Sequence, residues 1–253
     1  NNSNSLIRIY SRMVSCSFVA MTCAATFLFS SLESCATGMC FILFYLSLLR
    51  SYQDKRAPGI AFYSFACLGI ASLFFVQILY FVPFLWILMA SNMMALTHRM
   101  FWATVLGLVM PYWFAVGYYV VTNQFDAFID HFAELAQFEP LLQYEALDIH
   151  RIATFGLVVL LAVIGIIHYM RNSYQDKIRT RMIFEMFITV DILSFVFIIL
   201  QPQHFDNLLP IIIVNTSCLF AHYVALTRTW LTNVTFIVMC LATLGLTIFN
   251  LMP

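Results

Sequence analysis

Residues 60–96 read IAFYSFACLGIASLFFVQILYFVPFLWILMASNMMAL, a stretch that contains no charged side chain. A transmembrane helix needs about 20 consecutive apolar residues to cross a hydrocarbon core about 30 Å thick. The stretch is too long for one such helix, so it predicts two helices joined by a tight turn near residues 75–77. Pro83 then falls inside the second helix. We expect it to kink that helix, because neighbouring helices can satisfy the freed backbone groups.

The composition extends this interpretation to the whole chain. Of the 253 residues, 62% are hydrophobic and 9% are charged, whereas a soluble domain carries about 25% charged residues. The chain lacks the polar surface that water requires, so the lipid bilayer is its expected partner. A formal net charge of zero argues against nucleic acid as a partner. The cysteines form no CxxC pair, and we expect no structural disulfide, even between Cys35 and Cys40 near a predicted outer edge.

Apolar runs between polar breaks predict an all-α fold, a polytopic transmembrane helix bundle of about nine spans. The whole chain, 1–253, is then a single membrane domain. The predicted spans are residues 13–31, 36–50, 58–75, 77–96, 100–122, 151–170, 181–200, 208–226 and 232–250.

The charged residues predict the orientation of these spans, because Lys and Arg are enriched in cytoplasmic segments. With the N-terminus in the cytoplasm, Arg151 is the one basic residue of the twelve in the sequence that falls outside. The inner segments hold Arg8, Arg12, Arg50, Lys55, Arg56, Arg99, Arg171, Lys177, Arg179, Arg181 and Arg228. The outer segments hold Glu33, Asp126, Asp130, Glu134, Glu139, Glu145, Asp148 and Asp206. We therefore expect the C-terminus on the outer side.

A pentapeptide recurs in the sequence: Ser-Tyr-Gln-Asp-Lys stands at 51–55 and again at 173–177. The tripeptide Ala-Leu-Thr at 95–97 likewise recurs at 225–227. These echoes predict a first span within 1–34, then two parallel four-helix repeats at 35–122 and 151–253, related by an axis near the membrane normal. The alternative is that aromatic and basic residues simply recur at inner interfaces, where they anchor helices.

Ionisable side chains inside a span are costly and indicate function by default. Asp191 lies about 15 Å into the seventh span at 1.5 Å per residue, and Glu185 lies nearer its inner end. The antiparallel eighth span carries Asn215 and His222 on one face. A hairpin turning near Gln203 would bring Asp191 to Asn215 and Glu185 to His222. The pairs predict either a proton- or cation-linked site centred on Asp191 or structural hydrogen bonds between two helices.

The connection 123–150 between the repeats predicts an amphipathic helix on the outer interface. Its phenylalanines share one face, while Asp126 and Asp130 recur on another. Asn123 is the expected N-cap, and Pro140 is expected to end the helix. Since the helix carries no Lys or Arg, its apolar face should cover the bundle or meet another membrane protein subunit rather than anionic lipid.

Three outer-face carboxylates, Glu33, Asp126 and Asp130, complete the set of candidate site residues. Asp126, Asp130 and His131 are a weak metal signal with no second histidine beside them, so we expect neither a metal nor a cofactor. The Walker, GxGxxG, GxSxG and HExxH motifs are absent from the sequence. Glu33, in the first outer loop, resembles the carboxylate of polyprenyl-phosphate-dependent glycosyltransferases of the GT-C type, which implies a membrane enzyme as the alternative function.

Three apolar stretches resemble one bacterial family of inner-membrane proteins known as a domain of unknown function. They are LGIASLF at 68–74, GLVMPY at 107–112 and ALTRTW at 225–230. The resemblance implies a bacterial inner membrane, with the acidic helix in the periplasm, and no assigned activity. We therefore expect a non-enzymatic protein, either a transporter-like bundle or a membrane subunit of a larger assembly.

Overall fold

The computed structural model describes residues 6–136, 147–227 and 229–251. Across these residues the chain is helical and contains no strand, which confirms the predicted all-α class. The predictions for Glu139, Pro140, Glu145 and Arg228 fall outside these residues. The described helices are α1 (Met13–Ala24), α2 (Leu32–Leu48), α3 (Pro58–Phe74), α4 (Val82–Ser91), α5 (His98–Val121), α6 (Phe125–Ala136), α7 (Ile149–Asn172), α8 (Ile178–Leu200), α9 (Phe205–Leu226) and α10 (Trp230–Leu251).

Among the described residues, six helical segments are long enough and apolar enough to cross a bilayer. Their length and composition indicate a multi-pass membrane protein. Three apolar helices are shorter, so the nine crossings stay a prediction. The six long segments are Leu32–Ser51, His98–Val121, Ile149–Gln175, Ile178–Leu200, Pro202–Leu226 and Trp230–Asn250.

Two of the shorter helices are extended by 3₁₀ segments. α1 ends at Ala24, and Thr26–Ser30 continues it as a 3₁₀ helix. At about 1.5 Å per α-helical residue and about 2.0 Å per 3₁₀ residue, the two pieces together rise about 28 Å. Val76–Phe81 and α4 rise about 27 Å in the same way. Both apolar runs therefore approach the thickness of a hydrocarbon core although their α-helices are short.

The predicted turn in the 60–96 stretch is confirmed. α3 ends at Phe74, and Phe75 adopts an extended conformation before the 3₁₀ segment begins. Pro83 lies in the first turn of α4, where a missing N–H leaves no hydrogen bond unmade. The predicted kink inside a helix is therefore wrong, because Pro83 lies at the start of α4, directly after the 3₁₀ segment.

The chain divides into two compact units. The central unit is Ala36–Leu141, and the terminal unit combines Asn1–Cys35 with Leu142–Pro253. The boundary near the N-terminus falls inside α2.

In the central unit, α3 and α5 run parallel and touch through glycines. A Cβ atom added at Gly69 would lie 2.5 Å from the Leu108 carbonyl oxygen, and one at Gly107 would overlap the Phe62 carbonyl oxygen. Further along, the Tyr112 hydroxyl donates to Ser72 Oγ at 2.7 Å. Small residues let two backbones approach closely where no hydrophobic effect drives helices together, and this contact holds the unit.

The amphipathic helix α6 covers the end of this contact. Its Phe132 ring lies 5.0 Å from the ring of Tyr112, and His131 Nε2 lies 2.9 Å from the Ser72 carbonyl oxygen. The apolar face thus packs on the bundle, one of the two predicted arrangements. Asn123 is not its N-cap: with φ of 55° it ends α5 in the left-handed conformation that Asn tolerates.

In the terminal unit, α9 is the central helix. Every residue from Leu208 to His222 is buried, and α1, α7 and α8 pack around it. Gly165 of α7 lets the backbones of α7 and α9 approach, since a Cβ there would lie 2.9 Å from the Leu219 carbonyl carbon. By contrast, 11% of an 18-residue apolar stretch of α10 is buried within the protein. The helix therefore presents an apolar surface of the kind that faces lipid.

The two copies of the repeated pentapeptide share one backbone hydrogen bond. The N–H of Asp54 donates to the Ser51 carbonyl, and the N–H of Asp176 donates to the Ser173 carbonyl, both at 3.0 Å. The backbones differ otherwise: Gln53 has a φ of 57°, whereas Gln175 lies within a 3₁₀ segment, Ser173–Gln175. The shared bond is compatible with duplication, although the internal repeat itself stays a prediction.

We predict that Gly107→Ala destabilises the protein by about 1–3 kcal/mol, because the added methyl overlaps a backbone oxygen that cannot rotate away. Gly117→Ala, in the same helix, is the matched control, since nothing lies within 4 Å of its added Cβ. Thermal unfolding in detergent measures both variants. Equal melting temperatures for the two would contradict the close α3–α5 contact.

Candidate functional site

Asp191 lies in the middle of α8, about 20 Å along the helix from Ile178 at 1.5 Å per residue. Its side chain faces α9 and the whole residue is 0% exposed. The hairpin that turns through Pro202–His204 brings α8 and α9 together antiparallel, as predicted from a turn near Gln203.

The partner of Asp191 is Thr216. The Thr216 hydroxyl lies 3.2 Å from Oδ2 and 3.4 Å from Oδ1 of the carboxyl group, whereas hydroxyl hydrogen bonds are usually about 2.7–2.8 Å long. Among the residues that the structure describes, this hydroxyl is the one donor to Asp191. A single long bond is weak compensation for a carboxyl removed from water.

The predicted pairing of Asp191 with Asn215 is therefore wrong, because the partner is Thr216, the next residue along α9. Asn215 Nδ2 donates to the Ile211 carbonyl of its own helix at 3.1 Å. Ser194 and Ser217 are also buried beside this layer, and each donates to a carbonyl of its own helix at 2.8 Å. The mid-helix site thus consists of one carboxyl group and one hydroxyl group that bridge α8 and α9.

A second polar group, the Asp176 cluster, lies near the C-terminal end of α9 and contains Arg8, Asp176, His168 and His222. Arg8 Nε lies 2.8 Å from Asp176 Oδ1, and His222 Nε2 lies 2.9 Å from Asp176 Oδ2. The side chains of Asp176 and His222 are both 0% exposed. The partner of His222 is thus Asp176, and not the predicted Glu185, which occupies an exposed position.

Two imidazole nitrogens of this cluster have unused hydrogen-bonding capacity. The rings of His168 and His222 lie 5.5 Å apart, and Nδ1 of each is buried without a hydrogen-bond partner. His168 Nε2 lies 3.0 Å from the Thr227 hydroxyl. The described residues contain no group of three or more His, Cys, Asp or Glu side chains that could hold a metal ion.

The opposite end of the terminal unit is held by a third group, the Asn250 cluster, which contains Ala24, His150, Thr154 and Asn250. Asn250 Nδ2 donates to the Ala24 carbonyl at 2.6 Å and to the Thr154 hydroxyl at 2.9 Å. Asn250 Oδ1 lies 3.1 Å from His150 Nδ1. These bonds connect the end of α1, the start of α7 and the end of α10.

Arg151, the basic residue that departs from the predicted charge pattern, lies at this same end. Its guanidinium group donates to both carboxylate oxygens of Asp206 at 2.9 Å and to Asp148 at 2.7 Å. The guanidinium also lies 5.5 Å from the centroid of the Phe27 ring. The charge of this arginine is therefore balanced by two acids within the protein.

The three outer-face candidates are exposed side chains. Glu33 lies exposed in the first turn of α2, where a carboxylate suits a helix N-terminus. Asp126 and Asp130 lie on the exposed face of α6. The described cysteines are free thiols.

Comparison with protein-family models, with curated proteins and with solved structures finds no match for this chain.

Sequence reasoning missed the roles of Asp176, Arg8 and Asn250. Asp176 belongs to the repeated pentapeptide, and its counterpart Asp54 is exposed, so the repeat drew attention to the position without indicating its burial. The ion pair with Arg8 joins residues far apart in sequence, which no local pattern reveals.

We predict that Asp176→Asn releases the N-terminal segment, because removing one partner of a buried ion pair costs about 3–5 kcal/mol in the general case and leaves Arg8 without its counter-charge. The effect here should be smaller, since the Arg8 side chain is 32% exposed. Hydrogen exchange of residues 6–12 should accelerate. Asp54→Asn, at the exposed equivalent position, is the control and should leave exchange in that segment unchanged. Unaltered exchange in Asp176→Asn would show that the ion pair does not hold the segment.

Proposed function

We propose that this protein is a transporter-like helical bundle of a bacterial inner membrane, and that Asp191 is the carboxyl group that binds its coupling proton or cation. The observation that carries the proposal is the environment of Asp191: a fully buried carboxyl whose one described donor is a hydroxyl at 3.2 Å. The terminal unit supplies the site, and α9 forms its central wall.

The argument rests on the cost of a charge in a dry helix contact. A buried carboxylate without a counter-charge is expensive by several kcal/mol, and Thr216 offers only one neutral hydrogen bond, worth about 1 kcal/mol. A bound proton or a bound cation removes that imbalance. For a purely structural bond between helices, an asparagine would serve as well without the cost of the charge.

The proposed topology places the N-terminus in the cytoplasm and the C-terminus in the periplasm. Two groups of contacts support it. Arg8 and Asp176, both assigned to the inner side, form an ion pair. Asn250 bonds to Ala24 and Thr154, which join helix ends all assigned to the outer side.

Asp191→Asn tests the proposed coupling site, because asparagine has the size of aspartate and can accept the Thr216 bond but cannot exchange a proton. We expect wild-type protein in liposomes to take up protons, or to couple proton movement to an imposed Na⁺ gradient, as reported by a trapped pH-sensitive dye. We expect Asp191→Asn to lose this signal while its melting temperature stays within a few degrees of wild type.

The control is Ser194→Ala, one turn further along the same buried face, where the lost hydroxyl bonds only to the Val190 carbonyl. It should keep the dye signal. Dicyclohexylcarbodiimide, which modifies protonated carboxyl groups in lipid, should also label Asp191 in the wild type. The absence of both labelling and a dye signal in wild type would refute the transport proposal. A lower melting temperature in Asp191→Asn would then indicate that Asp191 has a structural role.

The orientation is tested with single cysteines placed in a variant that lacks the native ones. We expect Lys177→Cys to react with a membrane-impermeant maleimide only after cells are opened, and Asp130→Cys to react in cells with a permeabilised outer membrane. The two residues are assigned to opposite sides by the distribution of Lys and Arg. Labelling of both residues, or of neither, while the inner membrane is intact would refute the topology.

The alternative function, a lipid-linked glycosyltransferase, is tested separately. Glu33 is exposed at the start of α2, so a lipid-linked glycosyltransferase would lose sugar transfer from a polyprenyl-phosphate donor in the Glu33→Gln variant. The membrane-subunit role instead requires a protein that purifies with this chain in stoichiometric amount from native membranes.

A further inference from the structure

The terminal unit contains a cavity of about 200 Å³ that opens between α1 and α10. One face of α1, from Met13 to Met21, lines one wall, and one face of α10, from Phe236 to Thr243, lines the other. Leu161 of α7 and Phe220 of α9 form its floor. The cavity is separate from Asp191 and from the contacts that hold the ends of the helices, so the proposed coupling function does not use it.

The lining is apolar apart from a few small polar groups, and one of these is unsatisfied. The Thr243 hydroxyl donates to the carbonyls of Met239 and Cys240 at 2.9 Å. Ser17 is different: the residue is 6% exposed, its Oγ atom is buried without a hydrogen-bond partner, and it lines the cavity. A buried hydroxyl in this position costs free energy until an acceptor reaches it.

The position of the cavity selects the class of ligand. Cys240 lies about 15 Å along α10 from Trp230 at 1.5 Å per residue, the depth of a hydrocarbon core's middle. Ser17 lies about 6 Å along α1 from Met13, nearer the end that Arg12 precedes. A cavity of about 150 Å³ with an apolar lining takes up benzene, so this larger one accommodates a stretch of hydrocarbon chain. A partner helix, about 10–12 Å across, is too wide to enter.

We propose that this cavity binds one acyl chain of an ester-linked membrane phospholipid. The Ser17 hydroxyl, buried in the cavity wall, rotates about its Cα–Cβ bond to donate to the ester carbonyl, and the chain runs between α1 and α10 towards Thr243. The methionines of the lining suit such a ligand, because their flexible side chains adapt to an irregular chain.

The test uses the full chain in nanodiscs of phosphatidylcholine that carries a photoreactive diazirine in one acyl chain. After illumination, mass spectrometry should place adducts on the lining residues of α1 and α10, such as Met21 and Met239, in preference to the exposed faces of the same helices. Ala20→Phe and Thr243→Phe fill the cavity from different helices, and each should lower these adducts by about tenfold, since the chain loses its packing contacts. Val19→Phe is the matched control, because Val19 is 57% exposed on the opposite side of α1.

Ser17→Ala separates the hydrogen bond from the shape of the cavity. It should reduce the preference for the ester-linked over the ether-linked photoreactive lipid by about fivefold, the equivalent of one neutral hydrogen bond of about 1 kcal/mol. Thermal unfolding identifies any variant that fails to fold. If one of the two cavity-filling variants does not fold, the other is sufficient for the test. Adducts spread evenly over exposed positions, or unchanged by both filling variants, would show ordinary lipid contact and overturn the proposal. Adducts from a co-purified protein in the cavity would overturn it as well.

Discussion

Hydrocarbon offers no hydrogen bonds, so each polar group on these helices must find its partner within the protein. Most polar side chains here meet that requirement on their own helix: Ser194, Asn215 and Ser217 all donate to carbonyls one turn back. Asp191 meets it across the helix contact, where the Thr216 hydroxyl of α9 donates to the carboxyl group. This bond links α8 to α9 at mid-helix, and α1 and α7 also pack on α9.

The two ends of the terminal unit are stabilised by different chemistry. Arg8, Asp176 and His222 place charge at one end, with the carboxylate fully buried between its two partners. At the other end, neutral bonds of Asn250 join three helix ends, and the one arginine is neutralised by two acids. The first end is thus held by a buried carboxylate between two partners, and the second by neutral hydrogen bonds together with partly exposed ion pairs.

How far the sequence predicts this molecule depends on the quantity in question. Helix positions and the α8–α9 hairpin follow from the lengths of apolar runs, because each residue adds a fixed rise. The position of a residue along its helix is equally predictable, so Asp191 lies at the predicted level of α9, beside residues 215 and 216. Direction around the helix is not, since one residue turns it by about 100°; the predicted partner Asn215 is adjacent to the true partner Thr216. The contact of Arg8 with Asp176 joins distant parts of the chain and leaves no periodic signal.

The two copies of the repeated pentapeptide show why similar segments need not share a function. Counting from the pentapeptide, Gly69 occupies in α3 the position that Asp191 occupies in α8. At Gly69 the Leu108 carbonyl oxygen would lie 2.5 Å from any added Cβ, so α3 meets its neighbour through backbone. At Asp191 the side chain instead meets the Thr216 hydroxyl of α9. A position whose Cβ would overlap a neighbouring backbone oxygen leaves no room for a carboxyl group. At this level α3 therefore meets α5 through backbone contact, whereas α8 meets α9 through side chains.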